Sequence, residues 1–420
     1  PVIRTPDLEA KLATLMSLAT EDREGLPPRL RHANDAGSLR PINIRTLAPL
    51  PGMKIRLLRI LMTNACSYNC LYCPMRRDRD MPRTLLKPEE LVKIFLGAKA
   101  RGWCDGLFIT TGIPGKPVQV VSEIITVLEL LRQRHRFTGY IHVKLAAGAE
   151  PAQIERITQL ANRVSLNLET PCGATLASIA PEKNLDVSLQ DLVQVQGLVR
   201  EERAERRAGR PVNPLRPQGA SGITTQFVVG ATPDRDRAIL GLVSRLHRGG
   251  EVHHVHFSAF RPIRDTPMEN VTATPAEREQ RLYQAEYLLR DYGFRGEELV
   301  FGEDGNLPLN QDPKVGWALA HPDRFPVEVS TASPEELLRV PGVGRISAER
   351  IVQERRGTRF RSLADLGRLG VQAARAAGFI TLYGRRLSSV RWSEQLGFWS
   401  LESGAGTPHV TYGVSPGTFR

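Results

Sequence analysis

The chain has 420 residues, a formal net charge of +12 and a hydrophobic fraction of 41%. This length exceeds what one small core organises, so two or three units are expected, and the lack of any run of about 18 apolar residues argues against a membrane span. The first residues lack the apolar run of a signal peptide, so the expected location is cytoplasmic, while the basic excess indicates a polyanionic partner such as nucleic acid.

The first 300 residues predict an α/β fold. Residues 1–50 form an extension with one amphipathic helical pattern followed by irregular Pro- and Arg-rich sequence. Over 51–300, short β-rich runs alternate with helical patterns, which predicts a parallel sheet with right-handed crossovers. Six repeats favour a partial (β/α)6 barrel over an open doubly wound sheet. The predicted strands span 55–63, 106–111, 140–146, 163–170, 223–230 and 253–260, and the predicted helices span 87–101, 117–134, 151–161, 186–206 and 233–247.

The rest of the chain divides into three parts. Residues 301–330 are rich in Pro, Asp and Asn, which indicates a linker. Residues 331–386 show only helical patterns and predict a separate all-α module. Residues 387–420 predict an irregular tail. The segment 331–420 contains 13 Arg, no Lys and 7 acidic residues, a net charge of +6 that is half of the total.

Three of the five cysteines lie within eight residues. Cys66, Cys70 and Cys73 follow the first predicted strand with C-x3-C-x2-C spacing. Thiolates bind both zinc and iron–sulfur clusters, but a structural zinc site needs four ligands and no fourth Cys or His lies at the usual spacing. Three thiolates can hold three corners of a [4Fe-4S] cubane and leave one iron open. The spacing favours such a cluster, with zinc and a distant fourth ligand as the alternative.

The segment Cys66-Ser-Tyr-Asn-Cys70-Leu-Tyr72-Cys73 resembles the signature of the radical S-adenosylmethionine (SAM) superfamily. The resemblance implies that the open iron chelates SAM and that one electron, supplied by an electron donor, cleaves the C5′–S bond. The resulting 5′-deoxyadenosyl radical abstracts hydrogen from a substrate. The same resemblance places Tyr72 against the adenine.

Further SAM contacts are expected where the strands end, because barrel sites form at the carboxyl edge of the sheet. Thr111 and Gly112 stand at the position of the superfamily's Gly-Gly-Glu motif but lack its Glu, so carbonyls and hydroxyls are expected to hold the SAM amino group. Strand alternation places Asn167 and Glu169 on one face, and this run is similar to the ribose-contacting strand of lipoyl synthase, another radical SAM enzyme. The remaining candidates are Lys144 for the SAM carboxylate, with Gln226 and Gly230 for the adenine.

Two other groups of residues are assigned less specific roles. The strand at 253–260 begins with His253, His254 and His256, for which hydrogen-bonded barrel filling is favoured over a second metal site. Cys104 is expected in the core. Cys172 follows the fourth strand on the reactive side, where it could donate a hydrogen atom to a product radical.

Residues 334–352 contain two helical patterns that flank Pro341-Gly342-Val343-Gly344. The pattern resembles a helix-hairpin-helix element, in which glycines permit a tight turn and the N–H groups that open the second helix face an anion. Gly342 and Gly344 are expected to present backbone N–H groups to a phosphate. Arg345 and Ser347 are placed to reinforce contact with a DNA phosphate, which is independent of base sequence. A hairpin used only for packing is the alternative. Residues 361–379 resemble a second copy without a clean Gly-x-Gly.

Together, the cysteine motif and the hairpin resemble the bacterial radical SAM/helix-hairpin-helix proteins associated with DNA modification or repair. The resemblance covers about residues 50–385 and includes Pro82-Arg83, Ala180-Pro-Glu-Lys183 and Phe325-Pro326. It implies a DNA-directed enzyme and a uracil-DNA-glycosylase-like partner protein. An RNA-modifying enzyme, a non-catalytic iron–sulfur protein that binds nucleic acid and a zinc-stabilised binding module are the alternatives.

Overall fold

The computed structural model describes residues 7–19, 44–50, 53–211, 213–250 and 252–387. These residues form two compact units. The first contains the described residues up to 234 together with 246–276, and the second contains 235–245 and 277–387. The segment predicted as a linker, 301–330, lies within the second unit. The predicted tail, 388–420, lies outside the described residues.

The first unit is built on a seven-stranded sheet with strands β1 (Ile44–Leu50), β2 (Met53–Leu61), β3 (Gly106–Thr110), β4 (Ile141–Lys144), β5 (Arg163–Ser165), β6 (Gly222–Val229) and β7 (Val252–Ala259). Strands β2 to β7 are parallel and neighbours in chain order, which confirms the predicted partial barrel of six repeats. The prediction missed β1, which pairs antiparallel with β2. Its Pro49 is tolerated because β1 is an edge strand.

The helices of this unit are α1 (Leu8–Ala19), α2 (Pro88–Ala100), α3 (Pro117–Glu129), α4 (Pro151–Leu160), α5 (Gly173–Ile179) and α6 (Leu185–Arg207), and a π-helical turn (Leu130–Arg134) extends α3. Proline opens three of them, where its fixed φ and missing N–H cost nothing. Each crossover helix buries an apolar stripe, as with Leu91 and Phe95 of α2. This packing leaves the carboxyl ends of the strands for the functional residues.

The second unit is mainly helical. It contains most of α7 (Asp236–Arg248) and α8 (Ala276–Asp291), then α9 (Pro313–Ala320), α10 (Pro334–Arg339), α11 (Arg345–Glu354), α12 (Leu363–Arg368) and α13 (Ala373–Ala376). It also contains three short strands that the helical prediction did not include, β8 (Val327–Glu328), β9 (Ile380–Leu382) and β10 (Arg385–Arg386). Among the described residues, no helix combines the length and apolarity needed to cross a membrane.

Candidate functional site

The three cysteines lie in the loop that follows β2. Two backbone hydrogen bonds hold this loop against neighbouring segments: the Ser67 N–H donates to the Ile113 carbonyl at 2.7 Å, and the Leu71 N–H donates to the Ile179 carbonyl at 2.8 Å. Ile113 follows β3 and Ile179 ends α5. The loop is therefore fixed at the carboxyl edge of the sheet, where barrel chemistry is expected.

One guanidinium closes the cysteine loop. Arg83 donates four hydrogen bonds of 2.6 to 2.9 Å to backbone carbonyls on both sides of the cysteines. A planar group with five donors can satisfy several carbonyls at once, which Lys cannot do in the same geometry. The sequence assigned no role to Arg83, and its only signal was the family-matching pair Pro82-Arg83. The four acceptors are Asn64, Met75, Arg76 and Arg79.

The thiols are sheltered and close enough to influence one another. Burial raises the pKa of Cys70 to about 11 and that of Cys73 to about 12, and the other cysteines of the loop act in the same direction. The Met75 N–H donates to the Cys73 sulfur at 3.4 Å. The Cys70 and Cys73 thiols, with their raised pKa values, need nearby positive charge to ionise, and cluster iron would provide it. The donor set thus fits an iron–sulfur cluster.

No three His, Cys, Asp or Glu side chains within the described ranges are placed to share a single metal ion. A cubane does not require such convergence, because each thiolate ligates a different iron. Cys104 is 2% exposed, as expected of a core residue, and Cys172 is exposed just before α5.

A β-bulge positions the acidic residue of the site. The N–H groups of Leu168 and Glu169 both donate to the Gln226 carbonyl, at 3.2 and 2.9 Å, so two residues face one residue of β6. Glu169 has φ +66, a conformation that non-glycine residues rarely adopt. The few cases are concentrated at functional sites. The predicted regular strand 163–170 was therefore wrong beyond Ser165. Asn167 and Glu169 meet because of the bulge and not because of strand alternation.

An ion pair between the buried Glu169 and the partly buried Lys183 joins this bulge to the segment that supports the cysteine loop. Lys183 Nζ lies 2.6 Å from Glu169 Oε1, and the Asn167 amide donates to the same oxygen at 3.2 Å. Burial alone would raise the pKa of Glu169, but Lys183, together with Lys144 and the Asn167 amide, outweighs burial and holds that pKa below its usual range. The sequence gave Lys183 no role; the family-matching stretch that ends at Lys183 was its only signal.

Three buried acceptor oxygens belong to Glu169 and to two residues hydrogen-bonded to it. The Asn167 Oδ1, Glu169 Oε2 and Gln226 Oε1 atoms have no hydrogen-bond partner among the described residues. Leaving such an atom unpaired costs roughly 1–3 kcal/mol, so a cluster of them marks a place where a ligand that carries donors would bind. The ribose hydroxyls and the amino groups of SAM are such donors, so these residues fit that cofactor.

Tyr72 and Lys144 belong to the same edge. The Tyr72 ring packs against the buried group Ile179, Val228, Phe260 and Met268. Burial raises the pKa of Tyr72 well above its usual value, and the nearby Glu169 charge adds to that effect. Lys144 ends β4, and its charge contributes to the low pKa of Glu169. The structure therefore brings Tyr72, Lys144, Asn167, Glu169 and Gln226 together.

The other predicted SAM contacts have clear packing roles. A Cβ at Gly112 would lie 2.4 Å from the Ala65 carbonyl, so only glycine fits where β3 meets the cysteine loop. The Thr111 hydroxyl donates to the Gly112 carbonyl at 2.7 Å. Gly230 has φ +84, and a Cβ there would lie 2.0 Å from the Thr274 hydroxyl. The expected SAM contacts of these three residues stay predictions.

The second unit contains the predicted hairpin between α10 and α11. Gly342 has φ +83, and a Cβ there would lie 2.7 Å from the Gln372 carbonyl. The Gln372 N–H also donates to the Gly342 carbonyl at 2.9 Å. A second hairpin lies between α12 and α13, where Gly370 repeats the left-handed conformation with φ +91. Gly342 therefore serves close packing of the two hairpins, while Gly344, with φ −93, has no conformational need to be glycine.

The N-terminus of α11 presents free donors. The N–H groups of Gly344, Arg345, Ile346 and Ser347 have no acceptor among the described residues. Arg345 and Ile346 are exposed beside them, and Arg345 lies 3.7 Å from the exposed Glu349, a weak pair. Ser347 is only 5% exposed, and its hydroxyl faces Gly370 of the second hairpin. Its backbone N–H is therefore the donor that the predicted phosphate contact would use.

A buried lysine supports the hairpin turn from inside. Lys314 of α9 is 7% exposed, and its Nζ donates to the Val343 carbonyl at 2.6 Å and lies 4.6 Å from the centroid of the Tyr292 ring. Burial lowers the pKa of Lys314 to about 7. The sequence placed this residue in a linker, because Pro and Asn around α9 mask the helix.

Lys314 predicts a pH-dependent stability of the second unit. Its pKa is about 7 in the folded protein and about 10.4 in an unfolded chain, so between these values the unfolded state binds more protons. The unit's free energy of unfolding should therefore rise, by up to several kcal/mol, as the pH increases from about 7 to about 10. Lys314→Met should flatten this rise in thermal melts across that range. Parallel pH profiles for the two proteins would contradict the assignment.

Comparison with known proteins gives matches to both parts of the chain. A family model for the radical SAM superfamily matches residues 60–190, and one for the helix-hairpin-helix motif matches residues 325–373. No curated protein matches the chain at a significant level.

Solved structures similar to this chain include a maturase, a synthase and a methyltransferase. The FeFe-hydrogenase maturase HydG from Carboxydothermus hydrogenoformans is 15% identical, with 56% of this chain and 51% of that chain covered and a TM-score of 0.44. Methylornithine synthase is 14% identical, with coverages of 56% and 61% and a TM-score of 0.43. A radical SAM methyltransferase from Sphaerobacter thermophilus is 17% identical, with coverages of 59% and 67% and a TM-score of 0.41.

The chain spans about half the length of the HydG proteins that it matches. The radical SAM family uses a [4Fe-4S] cluster and SAM. The family match covers the cysteine loop, the first strands of the partial barrel and the Glu169–Lys183 pair, and the motif match covers the first hairpin. The chain therefore carries a radical SAM domain with a helix-hairpin-helix motif C-terminal to it.

Proposed function

We propose that this radical SAM enzyme holds a [4Fe-4S] cluster through Cys66, Cys70 and Cys73, cleaves SAM reductively and acts on DNA. One observation carries the cofactor part: the cysteine loop lies at a sheet edge where buried acceptor oxygens of Asn167 and Glu169 lack partners among the described residues. Cluster and SAM chemistry need that combination of thiolates and acceptors. By the family resemblance, we also propose a role in DNA modification or repair, with an electron donor and a uracil-DNA-glycosylase-like protein as partners.

In this proposal, each residue at the carboxyl edge of the sheet binds one group of SAM. The bound cluster would supply the electron that breaks the C5′–S bond. Lys183 keeps Glu169 ionised, so that its free oxygen acts only as an acceptor, for a ribose hydroxyl. Asn167 Oδ1 would take the neighbouring hydroxyl, and Lys144 would pair with the SAM carboxylate. Tyr72, Gln226 and Gly230 would contact the adenine, while the carbonyls and hydroxyls of Thr111 and Gly112 would receive the amino group.

Product analysis tests the reaction. Protein reconstituted without oxygen and incubated with SAM and dithionite should release 5′-deoxyadenosine and methionine, and omission of the reductant should abolish both products. Iron and SAM binding without 5′-deoxyadenosine would favour a non-catalytic iron–sulfur protein. Stoichiometric zinc without iron would favour a zinc-stabilised binding module.

Iron analysis tests the ligands. The wild-type protein should bind about four irons per chain, as a cubane contains. Replacement of Cys66, Cys70 or Cys73 by Ala should each remove most of that iron, because three ligands are the minimum for a stable site. Cys104→Ala is the matched control and should keep full iron content, since Cys104 lies in the core. Full iron in any of the three loop variants would refute the assignment.

SAM affinity tests the acceptor oxygens. Asn167→Ala should weaken SAM binding by about ten-fold while iron content stays unchanged, because a hydrogen bond of about 1.5 kcal/mol is lost. Glu169→Gln should weaken binding as well, since the amide replaces an acceptor oxygen with a donor and removes the charge that faces Lys183. Isothermal titration with the reconstituted proteins measures both effects. Unchanged SAM affinity in both variants would show that Asn167 and Glu169 do not contact the ribose.

The nucleic-acid part of the proposal rests on the first hairpin. Unpaired N–H groups and the positive end of the α11 dipole meet at one exposed turn, an arrangement that binds phosphate without reading bases. Arg345 adds an exposed positive charge at that turn. The family resemblance favours DNA as the polymer, and RNA of the same sequence is the discriminating competitor.

Salt titration tests the hairpin. Arg345→Ala should weaken binding of duplex DNA equally for unrelated sequences and should reduce the slope of log affinity against log salt by about one unit. Arg324→Ala removes the same charge from an exposed position outside the hairpin and serves as the control. Equal losses in the two variants would indicate general electrostatics in place of a hairpin site. Tighter binding of RNA than of DNA would overturn the choice of polymer.

A further inference from the structure

The strands β9 and β10 of the second unit form a β-hairpin whose tip is Tyr383-Gly384. The two strands pair antiparallel with Leu382 opposite Arg385, so only two residues make the turn. Tyr383 has φ +50 and Gly384 has φ +75. Positive φ at both central residues is typical of a type I′ turn, for which Asn-Gly is the favoured sequence. Glycine meets this requirement easily, whereas a bulky tyrosine in the left-handed region is an outlier.

Hydrogen bonds to its backbone hold the tip in this unfavourable conformation. The N–H groups of Tyr383 and Gly384 donate to the two carboxylate oxygens of Glu328 at 2.9 and 2.8 Å. Ser330 donates to the same carboxylate through its N–H and its hydroxyl. Burial opposes the ionisation of Glu328, but these hydrogen bonds, that of Gly384 foremost, lower its pKa to about 2. The conformation of the turn therefore does not depend on the tyrosine ring.

The tip displays an aromatic ring among arginines. Tyr383 is 43% exposed, and the Arg359 guanidinium lies 4.5 Å from the centroid of its ring. Arg385 and Arg386 follow the turn on β10, and both are exposed. In the portion of the chain that the structure describes, none of these three guanidinium groups pairs with a carboxylate. The tip therefore combines an accessible ring with positive charge that is available to a partner.

Tyr287 of α8 shows the ordinary arrangement of an exposed tyrosine beside an arginine. It is 40% exposed, and the Arg290 guanidinium lies 4.5 Å from its ring centroid. Tyr287 lies in a regular helix, and Arg290 pairs with the carboxylates of Glu286 and Asp291 at 2.7 and 2.9 Å. Helical conformation and local charge pairing thus account for that tyrosine. They do not account for Tyr383, whose backbone conformation is unfavourable and whose arginine neighbours have no carboxylate partner among the described residues.

An accessible aromatic ring beside several arginines fits one kind of partner. Bases stack on aromatic side chains whatever their sequence, and arginines nearby neutralise the phosphates of the strand. A base inside a duplex has both faces covered by its neighbours, so a ring of this kind selects unpaired bases. An acidic peptide would use the arginines but would give the tyrosine ring no role. The combination therefore favours an unpaired segment of nucleic acid.

We infer that the β9–β10 tip binds an unpaired segment of nucleic acid, with a base stacked on Tyr383 and the flanking phosphates bound by Arg385 and Arg386. The inference deepens the proposed function and rests on its nucleic-acid part. It adds a second contact in the same unit as the first hairpin. Unlike the phosphate contact at α11, this contact depends on whether the bases are paired.

The helix α11 relates the tip to the first hairpin. The N–H groups at its start form the proposed phosphate contact, and Arg359, beside the Tyr383 ring, follows its other end. A helix of 10 residues is about 15 Å long, so the two contacts are separated by roughly that distance. An enzyme that modifies a base must take it out of the stack. A contact for unpaired bases beside a contact for the backbone suits such a substrate.

Strands that differ only in their bases test the stacking. Fluorescence anisotropy of the full chain compares a labelled single strand of DNA of mixed sequence with a strand of the same length that carries abasic sites throughout. Both strands have the same charge, so a general electrostatic surface binds them equally. The wild-type protein should bind the strand with bases about ten-fold tighter, the effect of one stacked base. Tyr383→Asn should abolish this preference and leave the affinity for the abasic strand unchanged.

Variants separate stacking from folding. Asparagine is the residue that a type I′ turn favours, so Tyr383→Asn should keep or raise the melting temperature of the protein. Tyr383→Phe retains an aromatic ring and should retain the preference for bases. Tyr287→Ala is the control with matching exposure and should leave the preference intact. Arg385→Gln and Arg386→Gln should weaken binding of both strands equally, and each should reduce the slope of log affinity against log salt by about 0.7.

Equal binding of the two strands by the wild-type protein would overturn the inference and leave arginines that only protect the β10 edge or attract polyanions in general. A base preference that survives in Tyr383→Asn, or one that is lost equally in Tyr287→Ala, would overturn it as well. Duplex DNA separates the two levels. Loss of duplex affinity in Arg345→Ala without any base preference refutes the tip contact and keeps the first hairpin, while a preference that depends on Tyr383 without an effect of Arg345→Ala does the reverse.

Discussion

The ion pair between the partly buried Lys183 and the buried Glu169 is the interaction on which the candidate site depends. The Glu169 side chain is 3% exposed, so its carboxylate would be neutral without a cation beside it. Without the ion pair, no interaction would offset the unfavourable positive φ of Glu169. The positive charge of Lys183 also suits the cysteine loop. The ammonium lies near Cys70 and Cys73 and favours their thiolate forms. One side chain thus couples the proposed acceptor edge for SAM to the loop that would hold the cluster, and Arg83 closes that loop from the other side.

Buried contacts also hold the hairpin of the second unit in place. Gly342 allows two hairpins to touch, and Lys314 binds the carbonyl of Val343 from within. These internal contacts fix the turn, so that the N–H groups opening α11 remain directed outward. Phosphate recognition by backbone donors needs rigidity more than particular side chains, so the proposed site would depend on these buried residues as well as on the exposed Arg345.

Much of this could be predicted from the sequence, because periodic patterns report burial directly. The six parallel strands and most crossover helices follow from alternation, and the cysteine loop follows from spacing. The bulge at Glu169 could not be predicted, since it arises from tertiary pairing with Gln226. Lys183 and Arg83 were missed because a charged residue in a loop has no periodic signal. The packing role of Gly342 could not be predicted, because it depends on contact with the second hairpin. The site roles of the individual residues stay predictions.

Electron paramagnetic resonance of the dithionite-reduced protein tests most directly whether the cysteine loop holds a cluster with an open iron. We expect a reduced cubane signal whose g values change when SAM is added, because SAM would ligate the iron that no cysteine binds. The signal should be lost in a variant without Cys70. A cubane signal that saturating SAM leaves unchanged would contradict the open iron, and with it the proposed cleavage of SAM.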